Sequence, residues 1–266
     1  LGNAYRDGKG ITQDYTEALK WYRLAAEQGD ASAQYNLALM YDEGEGIAED
    51  NAEAVKWYRL AAEQGKASAQ YNLALMYENG EGVAEDDAEA VRLYRLAAEQ
   101  GDADAQNNLG VMYDEGFGVR KNLKKAFELY QLSADQGYAA AQRHLGLMYQ
   151  SGLGTSKNLR KAVKWFRSGA KKGYHRSQHN LGMMYLEGNG LAQSKLNALV
   201  CFYLSRGDGT GWSKQLSTEY GDLQTKQVEE ANEDILDLEK SMTKSEISKA
   251  KSLAEKCVMS DYQTWI

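Results

Sequence analysis

Apolar and polar positions along the chain recur with the period of a helix. Ala33, Leu37, Met40, Tyr41 and Gly44 fall at i, i+4, i+7, i+8 and i+11, on one face of a helix. Gly44 lacks a Cβ and fits a left-handed C-terminal cap. A second helical stretch begins at Asp50, with Glu53 three residues on. That is the spacing of a capping box, in which the Asp side chain takes a free backbone N–H and the Glu reaches back. Asp14 with Glu17 and Asp86 with Glu89 repeat it; Asn122 and Asn158 keep the cap, with Lys125 and Lys161 in place of the Glu. The second helix is expected to pack through Ala54, Trp57, Tyr58, Ala61 and Ala62 and to end at Gly65.

The same pattern returns every 36 residues. Gly29, Gly65, Gly101, Gly137 and Gly173 mark the period, as do Leu37, Leu73, Leu109, Leu145 and Leu181. The units are 1–28 (incomplete), 29–64, 65–100, 101–136, 137–172 and 173–208, and the unit 65–100 differs from 29–64 at only seven positions. A lone helical hairpin cannot bury its apolar stripe, whereas stacked hairpins bury a continuous core. The expected fold is therefore all-α: a right-handed superhelical solenoid of helix-turn-helix repeats over 1–208. The last unit carries Ser205 and Arg206 where Ala61 and Ala62 stand, so the array ends there. Residues 209–266 are expected to form a C-terminal helical cap. Its stripe is Leu223, Val228, Ile235 and Leu238, followed by a Thr243/Glu246 capping box and Ile247, Ala250, Leu253, Ala254 and Cys257.

Ala33-Gln34-Tyr35-Asn36-Leu37-Ala38-Leu39-Met40-Tyr41, then Gly44-Glu45-Gly46-Ile47, then Ala54 to Gly65, together resemble the Sel1-like repeat, a relative of the tetratricopeptide repeat. The period of 36 does not fit the tetratricopeptide repeat itself. The resemblance implies an adaptor or scaffold that binds other proteins, of a kind found mostly in bacteria and often exported. The periplasm or the cell exterior is the expected location on that ground. Ala48 and Ala84 stand where the family often has a proline, and the cysteines of its disulfide-bridged branch are absent.

Composition narrows the function classes. With 43% apolar and 26% charged residues, the chain is neither disordered nor fibrous. A net charge of −7 argues against general nucleic-acid binding. Two cysteines, Cys201 and Cys257, make no disulfide framework. The chain starts at Leu1, partway through a repeat, and is expected to be a piece of a longer protein whose targeting signal lies elsewhere. No phosphate loop, nucleophile elbow or zinc-protease helix motif occurs. Gly207-Asp208-Gly209-Thr210-Gly211 is expected to be a flexible joint. His175 and His179 are four apart, with His144 in the preceding unit, but no Cys or carboxylate nearby supports a metal. No catalytic residue, metal ligand or cofactor is therefore assigned.

Two features point to binding. On the first helix, the face opposite the core carries Ser32, Tyr35, Asn36 and Leu39, then Tyr71, Asn72, Leu75, Asn107, Asn108, Arg143, His144, Arg176 and His179 in later units. Core positions repeat while these change, and first helices usually line the concave surface of such arrays. The second feature is charge. Unit 29–64 carries −6, whereas unit 137–172 has eight basic residues and no acidic ones. Lys157, Arg160, Lys161, Lys164, Arg167, Lys171 and Lys172 form its basic patch. Such fields steer partners and reject wrong ones.

The leading expectation is a monomeric, non-enzymatic scaffold that binds one protein along its concave face, as an adaptor or as an inhibitor or immunity-type partner of a bacterial enzyme. The alternatives are a binding protein or enzyme for small ligands or cell-wall fragments, and a membrane-surface scaffold using unit 137–172.

Overall fold

A computed structural model describes residues 1–206 and 221–260. All fourteen elements among them are helices. They are α1 (Gly2–Asp7), α2 (Tyr15–Glu27), α3 (Ala31–Glu43), α4 (Asn51–Glu63), α5 (Ala67–Asn79), α6 (Asp87–Glu99) and α7 (Ala103–Glu115). Then come α8 (Leu123–Asp135), α9 (Ala139–Ser151), α10 (Leu159–Ala170), α11 (His175–Glu187), α12 (Lys195–Ser205), α13 (Gly221–Glu239) and α14 (Lys244–Met259). The chain divides into two compact units, Leu1–Leu129 and Tyr130–Ile266. The division falls inside the repeat array, so the C-terminal helices share a unit with the last repeats.

Within the first unit, α1 to α7 pack in chain order as hairpins. The expected core face holds: Leu37 and Met40 are fully buried, and Ala33 and Tyr41 nearly so. On α4, Ala54, Tyr58 and Ala61 are fully buried, but Trp57 is only half-buried, beneath Lys56 Nζ at 5.5 Å from its ring. Val55 takes the inward place instead.

The capping boxes of the repeats are half realised. The Asp14, Asp50 and Asp86 side chains accept from the backbone N–H of Glu17, Glu53 and Glu89, each at 3.0 Å. The reciprocal bond fails because the cap N–H is already used. Asp50 N–H donates to the Tyr41 carbonyl at 2.9 Å, and Asp86 N–H to that of Tyr77 at 2.9 Å. The glutamates turn instead to Lys20, Lys56 and Arg92 three residues on. Among the described residues the full box forms at Thr243/Glu246, where no repeat precedes the helix in this way.

A buried glutamine ties each hairpin to the next, and the hydrophobic pattern gives no hint of it. In the first unit, Gln34, Gln70 and Gln106 donate to the carbonyls of Ala26, Ala62 and Ala98 at 3.1–3.2 Å. Gln64 and Gln100 extend the ladder by donating to Gln34 and Gln70 at 2.7 and 2.8 Å. In the second unit, Gln142 and Gln178 reach Ala134 and Ala170, both at 3.3 Å. Each of these carbonyls also accepts from the glycine N–H three residues on, so the glutamine adds a second bond at the helix end and links it to the next hairpin.

Inside the second unit, α12 receives both α13 and α14. Ala231, Ile235 and Leu238 of α13 and Ala250, Ala254 and Cys257 of α14 are buried, so these helices cover the last hairpin as expected. Leu223 and Val228 of the expected stripe have side chains outside the described residues, and the glycine-rich joint at 207–211 lies outside them entirely. Arg206 is exposed as α12 ends, while Ser205 stays buried and donates to the Phe202 carbonyl at 2.9 Å. Cys201 and Cys257 are buried free thiols, and burial pushes the Cys257 thiol up to about 11.

Candidate functional site

The first-helix face of the first unit is built on buried tyrosines. Tyr58 and Tyr94, from the second helices α4 and α6, are completely buried. Tyr35 of α3 packs its ring on Tyr58 at 5.9 Å, and Tyr71 of α5 packs on Tyr94 at 5.8 Å, both tilted by nearly 50°. Such offset aromatic pairs fix ring orientation. Tyr35 and Tyr71 remain half-buried. Lys66 Nζ lies 5.1 Å from the Tyr35 ring and 3.5 Å from Ser32 Oγ, and Ser32 is exposed. Leu39 and Leu75 are half-buried at the same register.

The asparagines of this face serve the fold. The Tyr58 hydroxyl donates to Asp42 at 3.0 Å and accepts from Asn72 at 3.0 Å. Tyr94 donates to Glu78 at 2.5 Å and accepts from Asn108 at 3.2 Å. Asn72 and Asn108 thus join neighbouring hairpins, and Asn36 approaches Asn3 at 3.4 Å. Asn107 departs from the sequence expectation. It is buried, 6% exposed, and donates to Asn108 at 3.1 Å, so it offers no open surface. Its shorter side chain, unlike Tyr35 and Tyr71, does not reach out past its neighbours.

In the second unit the ladder passes to arginine and histidine. Arg143 of α9 donates from Nε to Asn180 Oδ1 at 3.2 Å. His144 lies flat on Tyr130, with ring centroids 4.5 Å apart and planes within 6°. His179 of α11 packs against Phe202 at 5.4 Å, and its Nε2 meets Asp234 of α13 at 2.7 Å. Arg176 and His175 stand in the first turn of α11, both half-buried. His144 and His179 thus have aromatic or carboxylate neighbours of their own. Among the described residues no group of three His, Cys, Asp or Glu is placed to hold a metal ion.

Burial, then the charges of Arg143 and Arg176, pushes the His144 imidazole down to about 4. In the unfolded chain it would take up a proton near pH ~6.5. The folded pKa lies below the unfolded one, so the unfolded state binds more protons between those values. Stability from this site is present above pH ~6.5 and is lost as pH falls toward ~4, by up to about 3 kcal/mol. His144→Gln should flatten that part of the stability–pH curve, measured by urea denaturation at a series of pH values. An unchanged slope would show that His144 does not carry it.

The basic residues of unit 137–172 lie on or beside α10. Lys157, Arg160, Lys161, Lys164, Lys171 and Lys172 are exposed. Arg167 is not free for a partner, since it donates to the Tyr185 hydroxyl at 3.1 Å. Arg23, Arg59 and Arg95 make the same bond to Tyr41, Tyr77 and Tyr113 in the first unit, at 2.6–3.1 Å. Lys161 and Lys164 lie over the rings of Tyr149 and Trp165 at 5.0 and 5.6 Å. No helix among the described residues is long and apolar enough to cross a membrane.

The sequence reading missed Asn180, Glu230 and Asp234. Asn180 had a signal, since it continues the register of Asn36, Asn72, Asn108 and His144. The two acids had none, because they belong to a helix outside the repeat.

Comparison with known proteins agrees with this architecture. No curated protein matches the chain. Among solved structures, a Sel1 repeat protein from Oxalobacter formigenes is 33% identical, with a TM-score of 0.73 over 89% of this chain and 93% of that one. A putative Sel1 repeat protein from Klebsiella pneumoniae is 25% identical, with a TM-score of 0.48 over 80% of this chain and 99% of that one. An immunity protein from Pseudomonas aeruginosa is 20% identical, with a TM-score of 0.48 over 77% and 80%. The Sel1 repeat itself matches at residues 1–30, 31–66, 67–102, 103–138, 139–174 and 175–206. With those successive matches spanning the whole helical-hairpin array, the chain belongs to the Sel1 repeat family.

Proposed function

We propose that this chain is a non-enzymatic scaffold that holds one protein partner on its first-helix face, as an adaptor or as an inhibitor of a bacterial enzyme. Sel1 repeat proteins are protein-interaction scaffolds, which supports the class. The observation that carries the reading is the pair of half-buried tyrosines, Tyr35 and Tyr71, each packed on a fully buried tyrosine. A ring already held in place loses little entropy when a partner covers it. Aromatic anchors of this kind dominate interface energetics. Leu39 and Leu75 widen the apolar strip, and Ser32 and Lys66 give it a polar rim. In the second unit, Arg143 and Arg176 supply cationic contacts at the Tyr35 and Ser32 registers of the first helices.

Photo-cross-linking tests the reading. A partner that cross-links from positions 39 and 75 supports it, and one that cross-links only from second-helix positions 56 and 92 removes it.

A further inference from the structure

The second unit leaves two arginines without an acid. A cavity of about 220 Å³ is lined by Arg143 of α9, by His175, Arg176, His179 and Asn180 of α11, and by Glu230 of α13. Arg143 uses its Nε on a neutral acceptor, the Asn180 amide oxygen. Among the described residues neither Arg143 nor Arg176 forms an ion pair. The carboxylates nearby are otherwise placed. Asp234 is engaged with His179 at 2.7 Å, and Glu230, one turn before it, is an exposed residue of the lining.

Burial lowers the pKa of Arg143, and the like charge of Arg176 adds to the effect. A guanidinium withdrawn from water without a counter-ion is costly, and that cost is relieved when an anion arrives.

We propose that this cavity binds a carboxylate side chain from an acidic segment of the partner protein, gripped by Arg143 and Arg176. The planar fork of arginine matches a carboxylate with two parallel hydrogen bonds. The chain itself supplies the precedent. α13 is an acidic helix, and it meets this same basic wall through Asp234. The cavity beside that contact is what a further carboxylate would fill. The assignment deepens the scaffold reading, and rests on it for a protein as the source of the carboxylate.

The test is NMR titration of the arginine Nε–Hε resonances of the full chain at constant ionic strength. The probes are acetyl-Glu-Glu-Glu-amide, its all-Gln counterpart and inorganic phosphate. Saturable shifts of Arg143 and Arg176 with the Glu peptide, and none with the Gln peptide, are expected. Arg176→Gln should weaken binding about tenfold or more, the loss of a charge-assisted hydrogen bond. Glu230→Gln, at an exposed position, should strengthen it by removing a like charge from the lining. Absence of a saturable shift with the Glu peptide overturns the proposal, and so does tighter binding of phosphate than of the peptide. Unchanged affinity in both variants overturns it as well. Peptide binding by a protein that cross-links to no partner would keep the site and remove the scaffold reading. A cross-linked partner with no peptide shift would do the reverse.

Discussion

Gly118→Ala is expected to destabilise the protein by about 3 kcal/mol or more, a large effect for one methyl group. Gly118 has φ +59, in the region that disfavours an L side chain. A Cβ there would lie 2.2 Å from the Asp87 carbonyl oxygen, at the start of α6. That atom belongs to the first turn of a helix and cannot move aside alone. Two costs therefore add: the left-handed backbone, about 1–2 kcal/mol, and the collision between one loop and the preceding hairpin. Gly101→Ala separates them. Gly101 has φ +92, but nothing lies within 4 Å of its Cβ position. It should show the dihedral cost alone. Urea unfolding of both variants checks this. Equal losses would mean that the close approach at Gly118 contributes nothing.

Tyr94→Ala should cost about 4 kcal/mol, and Tyr94→Phe only about 1–2 kcal/mol. The ring is fully buried and supports Tyr71 from beneath. Removing it leaves a cavity and also strands Glu78 and Asn108, which both bond the hydroxyl. The Phe variant keeps the packing and loses only the hydroxyl bonds. Burial raises the Glu78 carboxyl while the Tyr94 bond lowers it. The Phe variant should therefore leave Glu78 easier to protonate. Stability is read from urea denaturation; a Tyr94→Ala loss as small as that of Tyr94→Phe would contradict the cavity argument.

Most of the fold was legible in the sequence because a repeat states its pattern many times. The helix faces, the left-handed glycine at 44 and the aspartate caps are local properties, and they hold in the structure. What was illegible depends on groups far apart in the chain. The glutamates at the caps are released because a tyrosine carbonyl nine residues earlier takes the cap N–H. Trp57 is half-buried because Val55 and the alanines of its helix fill the inward positions, which spacing alone does not rank.

The candidate face was legible in register and illegible in role. Periodicity placed Tyr35, Asn36, Tyr71 and Asn72 on one surface. It could not show that Asn72 is bound to Tyr58, or that Asn107 is buried. At Arg143 and Arg176 the positive charge was readable from residue type alone. Only the packing of α13 reveals that one acid, Asp234, pairs with His179 and that the arginines have no acid of their own.

The central claim is that the first-helix face, and not the outer second-helix surface, holds a protein partner. The most direct measurement is photo-cross-linking in the source cells, with the reactive residue placed in turn at 39, 75, 56 and 92. Lys56 and Arg92 are exposed on α4 and α6 and serve as the outer-surface controls. The account predicts one protein joined at equal stoichiometry from positions 39 and 75, lost when Tyr35 and Tyr71 are replaced by alanine in a chain that keeps its helical signal. The same protein joined only from 56 and 92, or no protein joined from 39 and 75, would contradict it.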